Sequence, residues 1–389
     1  MRLILSRRVA ASSAIVAALA ILAMPARPAR RPHYGGTLRV EISAVVNSLD
    51  PAAPSANAGE DAAKHEIASL IYEKRNPDGS LAGVAGSGPF RISEWEPGKQ
   101  LTLAANDDFS GGRPFVDSIE IDMGRGAHDR LVDLELGRSD FSEIPAEDAR
   151  QASGLGVRVS ATQPDELIAI AFLPGHPSGD DIRLREAVAD SINRAAIVDF
   201  ILQKEGESAA GLLPQWSSGT AFLFPTAPDP VHAKELRSQI GGSPEIRLGY
   251  DSGDALEESI AERIAVDAHE PGITVATDAI PAGANAGRND ARLVRIRMSS
   301  AKPGDALTGI LSALDPVVGI DAPPPKDLDS AEQIYAAERA ALDGFHVVPV
   351  VWVPQVYGLS DRVRDWQTPA TGESWPLADV WLDPGASAK

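Results

Sequence analysis

The side chains most often used in catalysis occur in this 389-residue chain, but their spacing does not support catalysis. Ser87 lies between two glycines, whereas a nucleophilic serine needs the pattern GxSxG at a strand-to-helix turn, and Pro89 prevents a normal helix start there. The seven histidines show neither the HExxH spacing nor the paired spacing of a zinc site; they are residues 33, 65, 128, 176, 232, 269 and 346. There is no cysteine. We therefore predict that the chain is not an enzyme and holds no metal or other cofactor.

Two pairs of neighbouring aspartates were considered as functional carboxylates. Asp107 and Asp108 could bind calcium, but the residues after them lack the alternating ligand spacing of a calcium loop, which favours a turn. Asp180 and Asp181 could act as a general acid and base, but they precede a helical pattern, where aspartates commonly cap exposed amides. Neither pair predicts an active site.

The first 31 residues have the composition of a secretory leader. Arg2, Arg7 and Arg8 precede an apolar run from Val9 to Met24, and prolines and small residues follow. This run is shorter than the ~20 residues that span a bilayer, which favours a cleaved leader over an anchor. The leader therefore predicts an exported protein that is periplasmic or extracellular. Because the chain has no cysteine, we expect no lipid attached to a cysteine after the leader.

The charge balance restricts the kind of partner. Residues 1–31 contain six arginines and no acid, so the rest of the chain carries 30 basic and 55 acidic residues, a net charge of −25. Nucleic-acid binding depends on neutralising phosphates, so we expect no nucleic-acid partner. Hydrophobic residues make up 43% and charged residues 23%, which is typical of a folded soluble chain.

Hydrophobic periodicity divides the chain into two α/β regions. The first has strand patterns that we assign to one sheet, at residues 36–43, 90–94, 101–104 and 118–122. The second alternates strands with helices, which predicts parallel strand pairs. Its longest predicted helix is Asp181–Leu202, because apolar residues recur there every three or four positions. Capping boxes are predicted at Asp254 with Glu257 and at Ser330 with Gln333.

Several short motifs follow one another in a characteristic order. They are Gly35-Gly36-Thr37-Leu38, Leu49-Asp50-Pro51, Gly88-Pro89-Phe90, Trp95, Pro97-Gly98, Asn106, Gly112-Arg113-Pro114, Val116-Asp117, Leu136-Gly137, Asp140, IRLREAVADSINRAAIV at 182–198, Leu213-Pro214 and the closing HVVPVVWV. In this order they resemble family 5 of the extracellular solute-binding proteins, the peptide- and nickel-type binding proteins of ABC importers. The resemblance covers most of residues 34–389.

This resemblance implies an α/β, two-lobed fold of the type II periplasmic-binding-protein class. Lobe I would comprise residues 32–173 and 356–389, and lobe II residues 174–355. Such a protein, a monomer, closes its lobes on a small-molecule or peptide ligand and presents the closed form to an ABC permease complex in the membrane. The alternative is a secreted interaction or scaffold protein that keeps this fold and has lost ligand capture.

Two departures from the family pattern affect the expected ligand site. Between Tyr72 and Gly88 the family has a substantial extra domain, of which only EKRNPDGSLAGVAGS remains, so the small domain is largely missing. After the strand RLVRIRM the family often has an aromatic and aspartate-rich loop, where this chain has SSAKPGDALTGILSALDP. Asp305 in this stretch could anchor a ligand or could be a surface aspartate in a loop.

Candidate ligand-binding residues therefore rest on topology and chemistry. Asn47 and Ser48 follow the first strand, in a loop that would face the space between the lobes or would only turn. Trp216 could stack on a ligand or pack at a lobe edge. Arg295 and Arg297 share one strand face, where they could bind a carboxylate bidentately or form a solvent-facing pair.

Overall fold

A computed structural model describes residues 31–385, except for gaps at 51–52, 54, 56–57, 73, 76–80, 83–85, 210, 219–224, 244, 282–283, 285–286 and 320–327. The predicted leader, but for its last residue, lies outside the described residues. Within the described ranges, every helix is too short or too polar to cross a membrane.

The strands are, in chain order, β1 (Thr37–Glu41), β2 (Lys74–Arg75), β3 (Leu81–Ala82), β4 (Phe90–Glu96), β5 (Gln100–Ala105), β6 (Ser118–Asp122), β7 (Phe141–Ile144), β8 (Arg158–Ala161), β9 (Glu166–Phe172), β10 (Glu207–Ser208), β11 (Glu245–Asp251), β12 (Thr274–Ile280), β13 (Ala291–Arg297), β14 (Val347–Val353), β15 (Val356–Leu359), β16 (Val363–Arg364) and β17 (Trp381–Leu382). The α-helices are α1 (Ala58–Ile71), α2 (Ala127–Glu135), α3 (Ala149–Gly154), α4 (Pro177–Asp180), α5 (Ile182–Ser191), α6 (Arg194–Ala196), α7 (Gln215–Ser218), α8 (Pro230–Ser238), α9 (Ala255–His269), α10 (Pro303–Val318) and α11 (Ala331–Leu342). A 3₁₀ turn spans Ala146–Asp148, and a π-helical turn spans Ile197–Ile201.

The first sheet has seven strands in the order β4-β5-β6-β1-β7-β15-β8. β1 pairs in parallel with β6 and β7, and the other neighbours are antiparallel. The turns that connect its early strands use glycine, since Gly98 has φ 72° and Gly112 has φ 97°. The prediction that the four early strand patterns share one sheet is confirmed.

The second sheet has six strands in the order β10-β14-β9-β13-β11-β12. β11 pairs in parallel with β12 and β13, as the alternation of strands and helices predicts, whereas β9 is antiparallel to β13 and β14. Helices cover both faces. Along β9, Ile168 and Ile170 pack in a core with α5 and α9, whereas Leu167 and Ala169 pack on the other face with α10.

Two short segments join the sheets, at 162–165 between β8 and β9 and at 354–355 between β14 and β15. They run side by side, because the Thr162 amide donates to the Gln355 carbonyl and the Gln355 amide donates to the Thr162 hydroxyl, both at 3.0 Å. Each sheet with its helices therefore forms one lobe of a two-lobed molecule.

The lobe boundary predicted at residue 173 differs from this topology. β9 pairs along its length with β13 and β14, so it belongs to the second sheet. The chain therefore enters the second lobe at 162–165, before β9. The reason is that β9 is buried on both faces, with only Glu166 partly exposed, so its apolar pattern is compatible with either sheet.

The prediction of one continuous helix over Asp181–Leu202 is wrong. α5 ends before Ile192, whose ψ of 117° is extended. The Asn193 side chain then caps a new helical turn by accepting from the Ala196 amide at 3.0 Å. The Asn193 amide donates to the Asp267 carboxylate of α9 at 2.9 Å, so a contact between helices holds this break.

Three predicted helix starts are present. Asp181, Asp254 and Ser330 each accept a hydrogen bond from a backbone amide in the first turn of α5, α9 and α11. Ser330 forms the full capping box that was predicted. The capping box predicted for Glu257 is wrong, because this carboxylate accepts from the Asp251 amide at 2.9 Å.

Gly86 and Gly88, shortly before β4, lie against the carboxyl end of α1. The amides of Gly86 and Gly88 both donate to the Ile71 carbonyl, at 2.7 and 3.1 Å. A Cβ on Gly88 would lie 2.7 Å from backbone atoms at the end of α1, so only glycine fits. The buried Asn106 side chain donates to the Gly88 carbonyl at 2.8 Å. This motif therefore packs the start of β4 against the end of α1.

Candidate functional site

Charged side chains gather where the two lobes meet, beside the joining segments. In open α/β sheets this is the usual position of a binding site, since the carboxyl ends of parallel strands leave a crevice. The titratable side chains grouped around Arg295 and Arg297 are called here the interlobe cluster. They are Glu66, Glu143, Glu147, Asp165, Glu166, Asp254, Arg295, Arg297 and Tyr357.

Arg297 connects the two lobes directly. It is the last residue of β13, and its Nη1 lies 3.3 Å from Oε1 of Glu66 on α1, in the other lobe. The Glu66 carboxylate is buried and also accepts from the Trp375 amide at 2.8 Å. Burial lowers the pKa of Arg297, but the nearby charge of Glu66 contributes most to raising it, and the net shift is upward.

Arg295 lies two residues earlier on the same strand and forms ion pairs with Glu166 of β9 and with Asp254. Asp254 also caps α9, where its other carboxylate oxygen accepts from the Leu256 amide at 2.9 Å. Burial by itself lowers the pKa of Arg295, but the two neighbouring carboxylates raise it, and the net pKa lies well above the ordinary value. This arginine is therefore held in place by the second lobe.

The opposite lobe presents acids to these arginines. Burial raises the pKa of Glu143, on β7, and that of Glu147, in the following 3₁₀ turn, while Arg295 lowers both. Arg130 on α2 is 4% exposed, and burial lowers its pKa. In the described part of the chain, no hydrogen-bond partner reaches Arg130 Nε or Glu147 Oε2, so this lobe has buried polar atoms that a polar ligand group could satisfy.

The joining segments contribute a further buried acid. Asp165 is fully buried, and burial raises its pKa to about 6. One carboxylate oxygen lies 3.3 Å from the Thr162 hydroxyl and 3.4 Å from Gln355 Nε2. Gln355 in turn accepts from the Tyr357 hydroxyl at 2.8 Å. The segments between the lobes are thus tied together by side chains as well as by backbone.

The structure brings together two of the six predicted ligand-binding residues. Arg295 and Arg297 both belong to the interlobe cluster, with side chains 29% and 22% exposed. The competing interpretation of a solvent-facing pair is wrong, because both are engaged with carboxylates. Trp216 contacts a joining segment and is not part of the cluster: its Nε1 donates to the carbonyl of Pro164 at 2.8 Å.

The remaining predicted residues make local contacts. The Asn47 amide lies 3.4 Å from Glu60 Oε1, and the Ser48 hydroxyl accepts from the Asp50 amide, a turn contact, at 3.2 Å. Asp305 is 64% exposed and lies 3.7 Å from Lys302. The segment that contains Asp305 was expected to be a loop, but Pro303–Val318 is helix α10, because its apolar residues recur at helical spacing and are buried on one face.

Sequence reasoning missed most of the interlobe cluster. Glu66 lies on a helix and Glu143 on a strand, and neither follows a motif. Arg297 and Glu66 are 231 positions apart, so only the topology places them in contact. One signal in the sequence did point to this cluster. Arg295 and Arg297 follow the apolar residues Leu293 and Val294 in a strand pattern, and charged side chains in such a strand need partners.

Comparison with known proteins gives a family match over most of the chain. The model of the bacterial extracellular solute-binding proteins, family 5 Middle, matches residues 37–312. The oligopeptide-binding protein AppA of Bacillus subtilis is 29% identical over 125 residues, which are 32% of this chain and 23% of that protein. The probable ABC transporter periplasmic-binding protein SapA of Escherichia coli is 31% identical over 162 residues, which are 40% of this chain and 29% of SapA. The matched segments thus span less than a third of either relative.

A solved structure extends the comparison to the whole fold. The periplasmic binding protein DppA of Helicobacter pylori, in complex with the peptide STSA, superimposes with a TM-score of 0.72 at 14% identity, over 90% of this chain and 99% of that one. At this identity the likeness concerns the fold alone. The predicted α/β, two-lobed fold is confirmed.

Proposed function

The chain belongs to family 5 of the bacterial extracellular solute-binding proteins, and from this membership we propose that it is the substrate-binding component of an ABC importer. In this role it captures a small solute, a peptide in the first instance, outside the cytoplasmic membrane. It then delivers the solute unchanged to a permease complex. The predicted leader and the net charge of −25 over the rest of the chain are compatible with work in the periplasm or outside the cell.

The observation that carries this proposal is the ion pair between Arg297 and Glu66, which joins the two lobes. A solute receptor of this kind needs polar groups whose pairing depends on lobe closure, because ligand affinity then becomes coupled to the closed arrangement. Arg297 is such a group, since it belongs to the second sheet and its partner to a helix of the first lobe.

The interlobe cluster also suits a particular ligand chemistry. A ligand carboxylate can take the place of Glu66 on Arg297, since an arginine binds any carboxylate in the same geometry. The displaced Glu66 and the acids Glu143 and Glu147 are then available to a ligand ammonium group. A short peptide carries both groups, and two relatives of the chain are named as binding proteins for oligopeptides or as periplasmic ABC transporter proteins.

A second candidate function is a secreted interaction or scaffold protein that has lost ligand capture. Two observations favour it. Arg297 is already paired with Glu66. The short segment between Tyr72 and Gly88 also stands where the sequence resemblance implies a substantial extra domain that forms one side of the ligand site. In this case the ion pair serves only to hold the lobes together.

Thermal unfolding of the purified protein tests the proposal. The protein is heated alone and with di- to pentapeptides, nickel chelates and sugars, because a ligand that binds only the folded state raises the transition. A peptide at a hundredfold excess over its dissociation constant adds about 2.7 kcal/mol to the free energy of unfolding. We expect a response to peptides.

Two variants on β13 assign that response to the interlobe cluster. Arg297→Gln removes the proposed anchor, and we expect it to abolish the stabilisation by peptides. Arg292→Gln is the matched control, because Arg292 is exposed on the same strand, and it should respond like the unmodified chain. A folded protein that responds to no compound in the library supports the scaffold function instead.

A further inference from the structure

A group of three possible metal ligands lies on the helices of the second lobe, outside the interlobe cluster. Glu186 and Asp190 are one helical turn apart on α5, and His232 lies in the first turn of α8. One donor atom from each residue lies within 4.8 Å of the other two. His232 Nδ1 and Asp190 Oδ2 are 2.7 Å apart. The three donors therefore already converge on one point.

The backbone holds the two helices in register at this place. The Asp229 amide donates to the Asp190 carbonyl at 2.7 Å, and the Asp229 carboxylate accepts from the His232 amide at 2.9 Å. Ala187 on α5 and Ala233 on α8 are fully buried, which allows the helices to approach closely. The position of the imidazole relative to Asp190 is thus set by the fold rather than by side-chain contacts alone.

The local charge favours a cation. Three carboxylates, those of Glu186, Asp190 and Asp229, lie close to a single imidazole. Asp190 is also the penultimate residue of α5, where the helix dipole disfavours a negative charge. A divalent ion bound between these side chains would be attracted by their negative charge.

We propose that Glu186, Asp190 and His232 form a binding site for a divalent transition metal, with Zn²⁺ as the best match. An imidazole nitrogen together with carboxylate oxygens is a common zinc ligand set, whereas Ca²⁺ and Mg²⁺ take oxygen ligands. Metal–ligand distances of about 2.0–2.2 Å place two ligands about 3.0–3.6 Å apart, so small side-chain rotations convert the observed arrangement into a coordinating one. Asp190 and His232 are 21% and 43% exposed, so water can complete the coordination.

The site would bind its metal independently of any solute between the lobes, because it shares no residue with the interlobe cluster. Metal binding at this place joins α5 to α8 and so stabilises the second lobe, since an ion that binds only the folded state raises its stability. The proposal does not depend on the function proposed above.

Isothermal titration of the full-length protein with ZnCl₂ tests this site. We expect one tight equivalent of Zn²⁺, and at least about tenfold weaker binding of Ca²⁺ and Mg²⁺. His232→Asn and Asp190→Asn should each weaken the tight site by about tenfold or more, a range in which changes around metal ligands commonly fall. Visible absorption of the Co²⁺-loaded protein gives a second readout of the ligand set, and each variant should alter it.

His269→Asn is the matched control, because His269 is an exposed histidine at the end of α9 and should leave the affinity unchanged. Circular dichroism and the unfolding temperature without metal show that each variant is folded, and Asn at position 190 keeps an acceptor for His232. Absence of a tight Zn²⁺ equivalent in the unmodified protein overturns the proposal. Unchanged affinity in both the His232→Asn and the Asp190→Asn proteins overturns it as well.

Discussion

Burial raises the pKa of three acidic side chains well above the ordinary value. Burial raises the pKa of Glu257 from an ordinary 4.5 to about 7, and raises that of Glu41 to about 7 and that of Asp165 to about 6. Between the ordinary and the raised value, the folded state binds more protons than the unfolded state. The free energy of unfolding therefore falls as the pH rises through this window, and the full contribution of each group is present only below its ordinary pKa.

Glu257→Gln should remove one of these pH dependences. The amide oxygen of glutamine can still accept from the Asp251 amide, so the local hydrogen bond is kept. We expect the free energy of unfolding of the variant, relative to the unmodified protein, to rise by up to about 1.4 kcal/mol for each pH unit between pH 5 and 7. Urea unfolding at pH 5, 6, 7 and 8 measures this difference.

The control for this measurement is Glu262→Gln, an exposed position on the same helix, α9. Its stability should run parallel to that of the unmodified protein at all four pH values. If Glu257→Gln also runs parallel, the carboxyl group of Glu257 is ionised in the folded protein and the argument from burial fails.

At the scale of elements, the start of α9 has two tasks. Asp254 caps the helix by accepting from the amides of Leu256 and Glu257, at 2.9 and 3.0 Å, and it also pairs with Arg295 of β13. The helix end and the charged strand are thus positioned by the same carboxylate. The position of Asp254 before α9 therefore helps to orient the Arg295 side chain in the interlobe cluster.

Two substitutions at Asp254 separate these tasks. Asp254→Asn keeps an N-cap of similar quality and removes the charge, whereas Asp254→Ala removes both. We expect the alanine variant to lose about 1 kcal/mol more free energy of unfolding than the asparagine variant, which is the ordinary value of a cap. Denaturant unfolding at pH 7 compares them, and equal losses would show that the cap contributes nothing here.

At the scale of the whole molecule, the lobes are connected by two joining segments, by the ion pair between Arg297 and Glu66, and by a longer pair between Arg150 and Glu205 at 3.8 Å. One buried apolar cluster also contains residues of both lobes. Glu66 is 1% exposed, and its buried carboxylate pairs with Arg297. Loss of one partner of a buried pair leaves the other charge without compensation, which is strongly unfavourable. The relative position of the lobes should therefore depend on this pair.

Glu66→Gln should shift the unliganded protein towards a more open arrangement. Glutamine can still accept from the Trp375 amide, so α1 keeps its own contact while the interlobe charge is lost. We expect a larger radius of gyration in small-angle X-ray scattering and a loss of about 1–3 kcal/mol of stability, below the full value for a completely buried pair.

Glu245→Gln is the corresponding control, since Glu245 and Arg247 form a pair within one lobe in which both side chains are 55% exposed. It should leave scattering and stability unchanged. An unchanged radius of gyration in Glu66→Gln would mean that this ion pair does not set the position of the lobes.

The sequence by itself determined the local elements and the family. Turn positions such as Gly98 and Gly112 could be interpreted from the sequence, because turn geometry depends on residues near in sequence. Strand and helix patterns reflect burial in the same local way, which is why four strands of the first sheet and the cap of α11 were predicted correctly. The break at Ile192 was not, because a contact with a distant helix holds it.

Only the tertiary structure decided to which sheet β9 belongs and which charges meet. β9 is buried on both faces, so its sequence is compatible with either lobe, and its hydrogen-bond partners alone assign it to the second. Arg297 meets Glu66 and His232 meets Asp190 for the same reason. Contacts between residues far apart in the chain arise from the packing of whole elements. The local pattern of apolar and polar residues predicts each element but not which elements pack together.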